Sequence, residues 1–514
     1  MTAVPELHGP GPPSSASLRP SRASRGLAEW QRIAPEPNRP IWFFWAPACE
    51  SGRLVDAAWD QQERAICAAV APSPLVARKG RWAVRLRAHP DRALVDWFLY
   101  HLSTGFLLGS SAAQREPERS SKPNNVSSSA QPEVLDAWIA AELSAGRVAG
   151  PFGECPWSQG VTLTPLGLAE KSAPPGHAPK FRTTTDHTRS GLNASIHEDT
   201  ASISYVDVRD VAADWAELPA SSYGFVLDVA DAYRIIPTAP VEWQRCAFTW
   251  RQKFYVDTRL SFGVASGPVL FDALGRLLEW AVLAALGPGS RIWRLLDDSA
   301  MILDSEAQAC AAQAAMLLVY EDLGVPVQRA KLLQPSPVFK FLGFMWDFRN
   351  QGSISIPTGK CEKATLRLRA MLEAGRARLS DLEALCGLLN WMTLVARMGR
   401  CYLRALYDLS TRLVRAAAGS RRLAPQPPRL TCLWVLAKGA ETQVAWWLQG
   451  LSADASDSNG ATAGQRLMLS APFRWFRRNL HADVFVNTDA SGDGFGGWSG
   501  EDWFAGEWPG AWRP

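Results

Sequence analysis

The chain has no cysteine pair at C-x-x-C spacing and no histidine cluster beside any of its nine cysteines. A zinc knuckle or finger needs such ligand spacing and is not expected. The cysteines are scattered from Cys49 to Cys432. That pattern fits buried free thiols in a reducing compartment, hence an intracellular protein of cytoplasm, nucleus or both. No run of about 18 apolar residues occurs, so no membrane span is expected. The opening MTAVPELHGPGPP has neither a basic start nor an apolar run and does not read as a secretory signal. A strong charge bias is missing too. The net charge of +4 does not by itself mark a nucleic-acid protein, although charge gathered in one cleft can leave the rest near neutral.

What is present is length and apolar content. A chain of 514 residues implies several domains, and 47% apolar against 20% charged residues is enough to bury cores. Tryptophan is abundant, at 23, and each ring is read first as core and second as a platform for bases or sugars. Residues 1–40, rich in Pro, Ser, Gly and Arg, read as a disordered tail. A helical region is expected over 41–150, with Val95, Phe98, Leu99 and Leu102 at helical spacing, a flexible linker near 110–132 and a helix over 133–147.

From 160 to 350 short apolar runs alternate with longer helical stretches. FVLD (225–228) reads as a buried strand. LFDALGRLLEWAVLAAL (270–286) and AQACAAQAAMLLVYEDLG (307–324) read as helices. IWRLL and SAMIL flank Asp297-Asp298 as a strand–turn–strand hairpin, and VFKFLGFMWDF (338–348) reads as a strand pair. This is α+β texture rather than a βαβ repeat. Residues 355–420 are helical in pattern with interleaved Lys and Arg, 421–480 form a connection with a linker at APQPPRL (424–430) and a helical stretch after it, and 481–514 read as short strands between Gly turns.

The chemistry is concentrated in three carboxylates. Asp228 ends an apolar strand, and Asp297 with Asp298 lies in a hairpin turn. Nucleotidyl transfer needs carboxylates from separate strands to hold two divalent metals roughly 4 Å apart. Asp is also a favoured turn residue, so the pair alone decides nothing.

The set of motifs resembles reverse transcriptases. VLDVADAYRIIP (226–237) is similar to their polymerase A motif, LSFGVASGPVLFDAL (260–274) to the B motif and LLDDSAMIL (295–303) to the C motif. LGVPVQRAKL (323–332) resembles the D motif, FLGFMWD (341–347) the primer grip, and KFRTTTDHTRSGLN (180–193) the fingers segment, with two extra residues before Asn193. All six occur in family order. HPDRALVDWFLYHLSTGFLLG, AAELSAGRVAGPFG and LCGLLNWMTLVARMGRCYLRALYDL further resemble tyrosine-recombinase retrotransposons of the DIRS and Ngaro kind. HADVFVNTDASGDGFGGWS resembles the opening strands of their RNase H domain. The resemblance spans about residues 85–508.

The resemblance implies a right-hand polymerase fold of fingers, palm and helical thumb, with a helical N-terminal region and a partial RNase H-like α/β segment. It implies an RNA-directed DNA polymerase that adds dNTPs to a primer paired with an RNA or DNA template. Two Mg²⁺ ions, which Mn²⁺ can replace, would lie on Asp228 and Asp297, with Asp298 in support. Lys180 and Arg182 would grip the triphosphate, Tyr233 would exclude a 2′-hydroxyl, and Gly263 and Pro268 would shape the loop against the nucleotide. Lys331 would protonate pyrophosphate, and Phe341, Leu342 and Gly343 would position the primer end.

Each assignment has a plainer counterpart: exposed charge for Lys180 and Arg182, a core ring for Tyr233, a solvated lysine for Lys331, a simple hairpin for Phe341–Gly343. Three departures stand out. Leu295 replaces the usual aromatic residue, Ser261 the usual Pro, and Thr residues the apolar ones of the fingers strand. A catalytically decayed remnant that binds nucleic acid is the alternative. An RNA-directed RNA polymerase is opposed by Tyr233. Asp489 matches the first RNase H carboxylate. The DASGDG string is not a calcium loop, because Gly500 stands where the bidentate Glu belongs. With no further RNase H carboxylate before Pro514, RNase H activity is not expected from the chain. Oligomeric state is left open.

Overall fold

The structure is a computed structural model. It describes residues 61–110, 120–157, 161–171, 180–197, 203, 205–219, 221–349, 352–420 and 438–452, together with short strands at 24–26, 434–435, 470–472, 487–490, 494–499 and 502–507. The fold is α+β.

At its centre is an antiparallel sheet whose side-chain alternation separates two cores. Strand Tyr223–Asp228 pairs with Asp298–Leu303, which pairs with Arg291–Leu295; Ser24–Gly26 completes the edge. Successive residues of a strand point to opposite faces. Phe225, Leu227, Ile292 and Met301 therefore enter one core, while Val226, Trp293, Ala300 and Ile302 enter the other. A sheet covered on both faces explains why its strands read as continuous apolar runs.

The first core is filled by helices Gly267–Leu286 and Glu306–Asp322, close to the expected spans. Helix Arg92–Thr104 joins them. It starts where the Asp91 carboxylate accepts the Leu94 amide at 2.9 Å, and it buries Val95, Phe98 and Leu102 as their spacing predicts. The Trp82 indole donates to the Leu323 carbonyl at 3.0 Å, and Arg85 pairs with Asp322 at 2.8 Å. The N-terminal helices are thus part of the central core rather than a separate layer.

One reading from composition differs in its described part, and another lies almost wholly outside the described residues. Within the stretch read as a linker, helix Val126–Ala130 is docked by Asn124, whose side chain accepts the Leu166 amide at 2.8 Å, and by Ser128, which donates to the Leu166 carbonyl at 2.6 Å. Polar residues here satisfy a neighbouring strand rather than solvent. Of the tail 1–40, only Ser24–Gly26 is described, as the sheet's edge strand; the rest lies outside the described residues.

The second core is built around Trp215, the last residue of helix Val208–Trp215. Its ring packs 4.2 Å from that of Trp346 and 5.2 Å from that of Trp293. Strands Val338–Phe341 and Phe344–Asp347 form the expected pair. Helices Thr358–Ala374, Leu379–Met392 and Arg404–Ser420 follow. A fourth helix, Lys438–Ser452, adds Ala440, Val444 and Trp447 to the same core, so the expected connection region begins as part of this bundle. Among the described residues no helix is long and apolar enough to cross a membrane.

Among the described residues three histidines are buried: His89, His101 and His187 are 1%, 2% and 2% exposed. Burial lowers each to about 4. A depressed histidine holds its stabilising contribution above the unfolded value of about 6.5 and loses it as pH falls toward the folded value. Stability should therefore drop by on the order of 2 kcal/mol per histidine between pH 6.5 and 5. Urea unfolding midpoints at the two pH values check this, and equal midpoints would contradict it.

Candidate active site

The register of the central sheet assembles the acidic residues. Asp228 is the last residue of its strand and lies directly opposite Asp298, the first residue of the returning strand. Asp297 sits in the turn that joins strands Arg291–Leu295 and Asp298–Leu303, where Leu296 takes φ +52°. The Val229 amide donates to the Asp297 carbonyl at 3.1 Å, and the Gln328 amide to the Asp228 carbonyl at 2.9 Å. The chain segments around both residues are thus tied by backbone bonds, as a rigid site requires.

Crowding raises two of the three carboxyls. Burial lifts Asp298 to about 6, helped by the charges of Asp297 and Asp228 and a hydrogen bond to Asp228. Burial and the Asp228 charge also raise Asp297. The nearest relief is Lys331, on the short helical turn Arg329–Lys331, whose ammonium pairs with Asp228. That bond raises the lysine in turn. Lys331 is therefore an ion-pair partner of the acidic centre rather than a free solvated lysine. Among the described residues no three His, Cys, Asp or Glu side chains already converge as a cage for a metal ion. The donor chemistry nevertheless suits a hard divalent cation: oxygen ligands, close spacing and excess negative charge.

Tyr233 lies on the helical turn Ala232–Ile235, five residues past Asp228, and is 9% exposed. Burial raises its hydroxyl, with Tyr205 and Asp297 adding. Its ring packs 5.0 Å from Phe262 and 5.4 Å from Phe271. A Cβ at Gly267 would lie 3.5 Å from it. The adjoining Arg234 is buried and bonds Asp257 and Glu142, each at 2.7 Å. Burial therefore accounts for much of this tyrosine, as its plainer reading required, while its neighbourhood to Asp297 is that of the proposed gate.

The predicted nucleotide-side residues come from two segments. Strand Lys180–Thr185 carries Arg182, whose guanidinium lies 5.5 Å from the Phe262 ring centroid and whose charge acts on Asp297. Lys180 stands at the strand's far end, opposite Lys171. Gly263 has φ +98°, and a Cβ there would meet the Thr185 carbonyl at 2.5 Å. Only glycine fits. Pro268 opens helix Gly267–Leu286, where its missing amide costs nothing.

The FLG segment is a tight hairpin turn, with Leu342 at φ +50° and Gly343 at φ +84°. Phe341 is buried in the second core, Leu342 packs partly buried against it, and a Cβ at Gly343 would lie 3.1 Å from Trp391. Phe344 stacks on Trp391 at 4.2 Å, and Lys360 lies 5.6 Å from the Trp391 ring. Asp489 lies on strand Asn487–Ala490, opposite Gly496, in a separate three-stranded antiparallel sheet away from this centre in sequence and pairing.

The sequence reading missed what holds the loop 261–265. Thr185 donates its hydroxyl to the Phe262 carbonyl. The His187 Nε2 and Ser261 Oγ are 2.6 Å apart. Asn193 donates to the Gly263 carbonyl and accepts the Ala265 amide, both at 2.9 Å. The signal was present in the departures themselves: Thr185 and Ser261 are hydroxyls where apolar residues are usual, and each has its partner across the same gap.

No family model matches the chain. A curated relative is the Gag-Pol polyprotein of avian reticuloendotheliosis virus, 29% identical over 153 residues, covering 27% of this chain and 13% of that polyprotein. The chain thus spans a small part of that relative's length. Solved structures similar to it include the foamy viral protease-reverse transcriptase in complex with dsDNA, at TM-score 0.47 and 16% identity over 80% of this chain and 71% of that one. The same foamy viral protein with an RNA/DNA hybrid matches at TM-score 0.48 and 12% identity over 94% of this chain and 55% of that one.

Proposed function

We propose that this chain is the RNA-directed DNA polymerase of a retroelement. In this reading the central sheet is the palm, the strands around Lys180–Thr185 belong to the fingers, and the helices from Thr358 onward form the thumb. The observation that carries it is the register opposing Asp228 and Asp298 with Asp297 in the adjoining turn, beside Tyr233 and within reach of the Arg182 charge. The phrases around residues 89–109 and 385–409 support placement among tyrosine-recombinase retrotransposons.

Two divalent cations, Mg²⁺ or Mn²⁺, held by Asp228 and Asp297 with Asp298 in support, would activate the primer 3′-hydroxyl and stabilise the leaving pyrophosphate. The protein's part is to concentrate negative charge where those cations bind. Lys331 pairs with Asp228, and with a cation held at Asp228 its ammonium would be placed to donate a proton to pyrophosphate. Arg182 offsets negative charge on the triphosphate. The turn Leu342–Gly343 lies beside Trp391 and Lys360, a position suited to a primer strand. Hydrogen-bond partners for Thr185 and Ser261 favour a maintained site over a decayed one, since random loss leaves polar groups unmatched.

Primer extension on poly(rA)/oligo(dT) with Mg²⁺ or Mn²⁺ tests the reading. Asp297→Asn should reduce extension to background while primer–template affinity, followed by fluorescence anisotropy, is retained. Extension that survives the substitution would remove Asp297 from the chemistry.

Sugar selection gives a second test. The Tyr233 ring is packed against Phe262, Phe271 and the Gly267 backbone and has little room to retreat. Tyr233→Val should raise ribonucleotide use relative to deoxyribonucleotide use by on the order of 10-fold or more in kcat/KM, the discrimination that a small group commands in a fitted pocket. Tyr233→Phe should keep it, because the ring excludes. An unaltered ratio in an active Tyr233→Val variant would make this tyrosine a core ring only.

A further inference from the structure

The loop 261–265 carries Phe262, one of the exposed large apolar side chains, at 39% exposure. Its ring contacts Tyr233 and neighbours the Arg182 guanidinium. A half-exposed ring beside a cation and next to an acidic centre offers a flat apolar surface to a sugar or base. Its position depends on the loop, and the loop has little of its own to hold it. It is not part of a strand, and Gly263 allows it many conformations in isolation.

One neighbouring segment supplies the restraint. Thr185 holds the Phe262 carbonyl, His187 holds the Ser261 hydroxyl, and Asn193 holds both Gly263 and Ala265. The segment is itself fixed. Asp186 caps the short helix His187–Ser190 by accepting the Arg189 amide at 2.9 Å, and its own amide donates to the Pro165 carbonyl at 2.9 Å. The other ring nitrogen of His187 lies 3.5 Å from the Thr164 hydroxyl, and Asn193 also donates to Thr188 at 2.9 Å. Four of the loop's five residues are thus tied to 185–193, and Phe262, whose carbonyl Thr185 holds between the His187 and Asn193 contacts, is the one whose ring reaches Tyr233.

We propose that Thr185, His187 and Asn193 are positioning residues for the incoming deoxynucleoside triphosphate. They act through the loop by holding the Phe262 ring beside Tyr233, and so they set nucleotide affinity rather than template affinity. The inference rests on the polymerase reading. Holding the ring in place before the nucleotide arrives avoids an ordering cost on binding. A Thr and a Ser where apolar residues are usual serve this by replacing packing with directed hydrogen bonds.

The test uses the full chain on a dideoxy-terminated primer–template with Mg²⁺ and the next matched dNTP. The dNTP concentration that protects the complex against a competitor DNA gives the nucleotide Kd without chemistry. Thr185→Val, which removes one hydrogen bond to the loop, should raise that Kd and the extension KM by roughly 5- to 10-fold, and Asn193→Ala, which removes two, by at least as much. Primer–template affinity and kcat should be little changed, and Thr185→Ser should restore the Kd. His187 is left unaltered because it is buried. Unchanged nucleotide Kd in both variants, or failure of Thr185→Ser to restore it, overturns the inference while leaving the polymerase reading intact. A chain that forms no nucleotide-dependent complex at all overturns both.

Discussion

The repulsion among three carboxylates at one strand end is the constraint on which the rest of the site depends. Antiparallel pairing sets Asp228 against Asp298, and the turn leaves Asp297 beside them. Burial and mutual charge then raise Asp297 and Asp298, so the ionised trio opposes folding unless positive charge is supplied. Lys331 supplies part of it at Asp228. The sheet can hold this arrangement because both its faces are buried, one under the helices Gly267–Leu286 and Glu306–Asp322 and the other on the Trp215 cluster. A one-residue slip would exchange the two faces and separate Asp228 from Asp298 together.

Around that centre the restraint comes from segments distant in sequence. Arg234, next to Tyr233, is fixed by Glu142 and Asp257, so the helix Pro132–Ser144 reaches the turn that carries the candidate gate. Such a buried ionic cluster is a device for specific geometry more than for net stability. The Ser73 hydroxyl is bonded to the Ile235 carbonyl two residues further on. The segment 185–193 holds the loop on the other side. The surfaces around the acidic centre are therefore braced from the N-terminal helices and from the segment 185–193 at once.

Much of this was legible in the sequence, for physical reasons. The apolar run FVLD gave a buried strand and the DD turn between two apolar runs gave the hairpin, since short apolar runs and turn chemistry are local signals. The helix over 92–104 followed from its spacing. Residues 120–132 were misread because Asn and Ser that bond a neighbouring strand look in composition like those that bond water. The clasp on loop 261–265 was only half readable: Thr185 and Ser261 stand out as departures, but their partners lie about 70 residues away in sequence. A helical stretch beyond the proline-rich 424–430 was legible, but its packing as the fourth helix of the bundle, Lys438–Ser452, was not, because its partners lie on Thr358–Ala374 across that apparent boundary.

The central claim is that this strand end is built to bind divalent cations with the nucleotide. Mn²⁺ electron paramagnetic resonance on the full chain, with dideoxy-terminated primer–template and the next matched dNTP, counts bound ions directly. The account predicts two bound Mn²⁺ per ternary complex, and loss of bound Mn²⁺ in the Asp228→Asn chain. Equal Mn²⁺ occupancy in the two chains would contradict it.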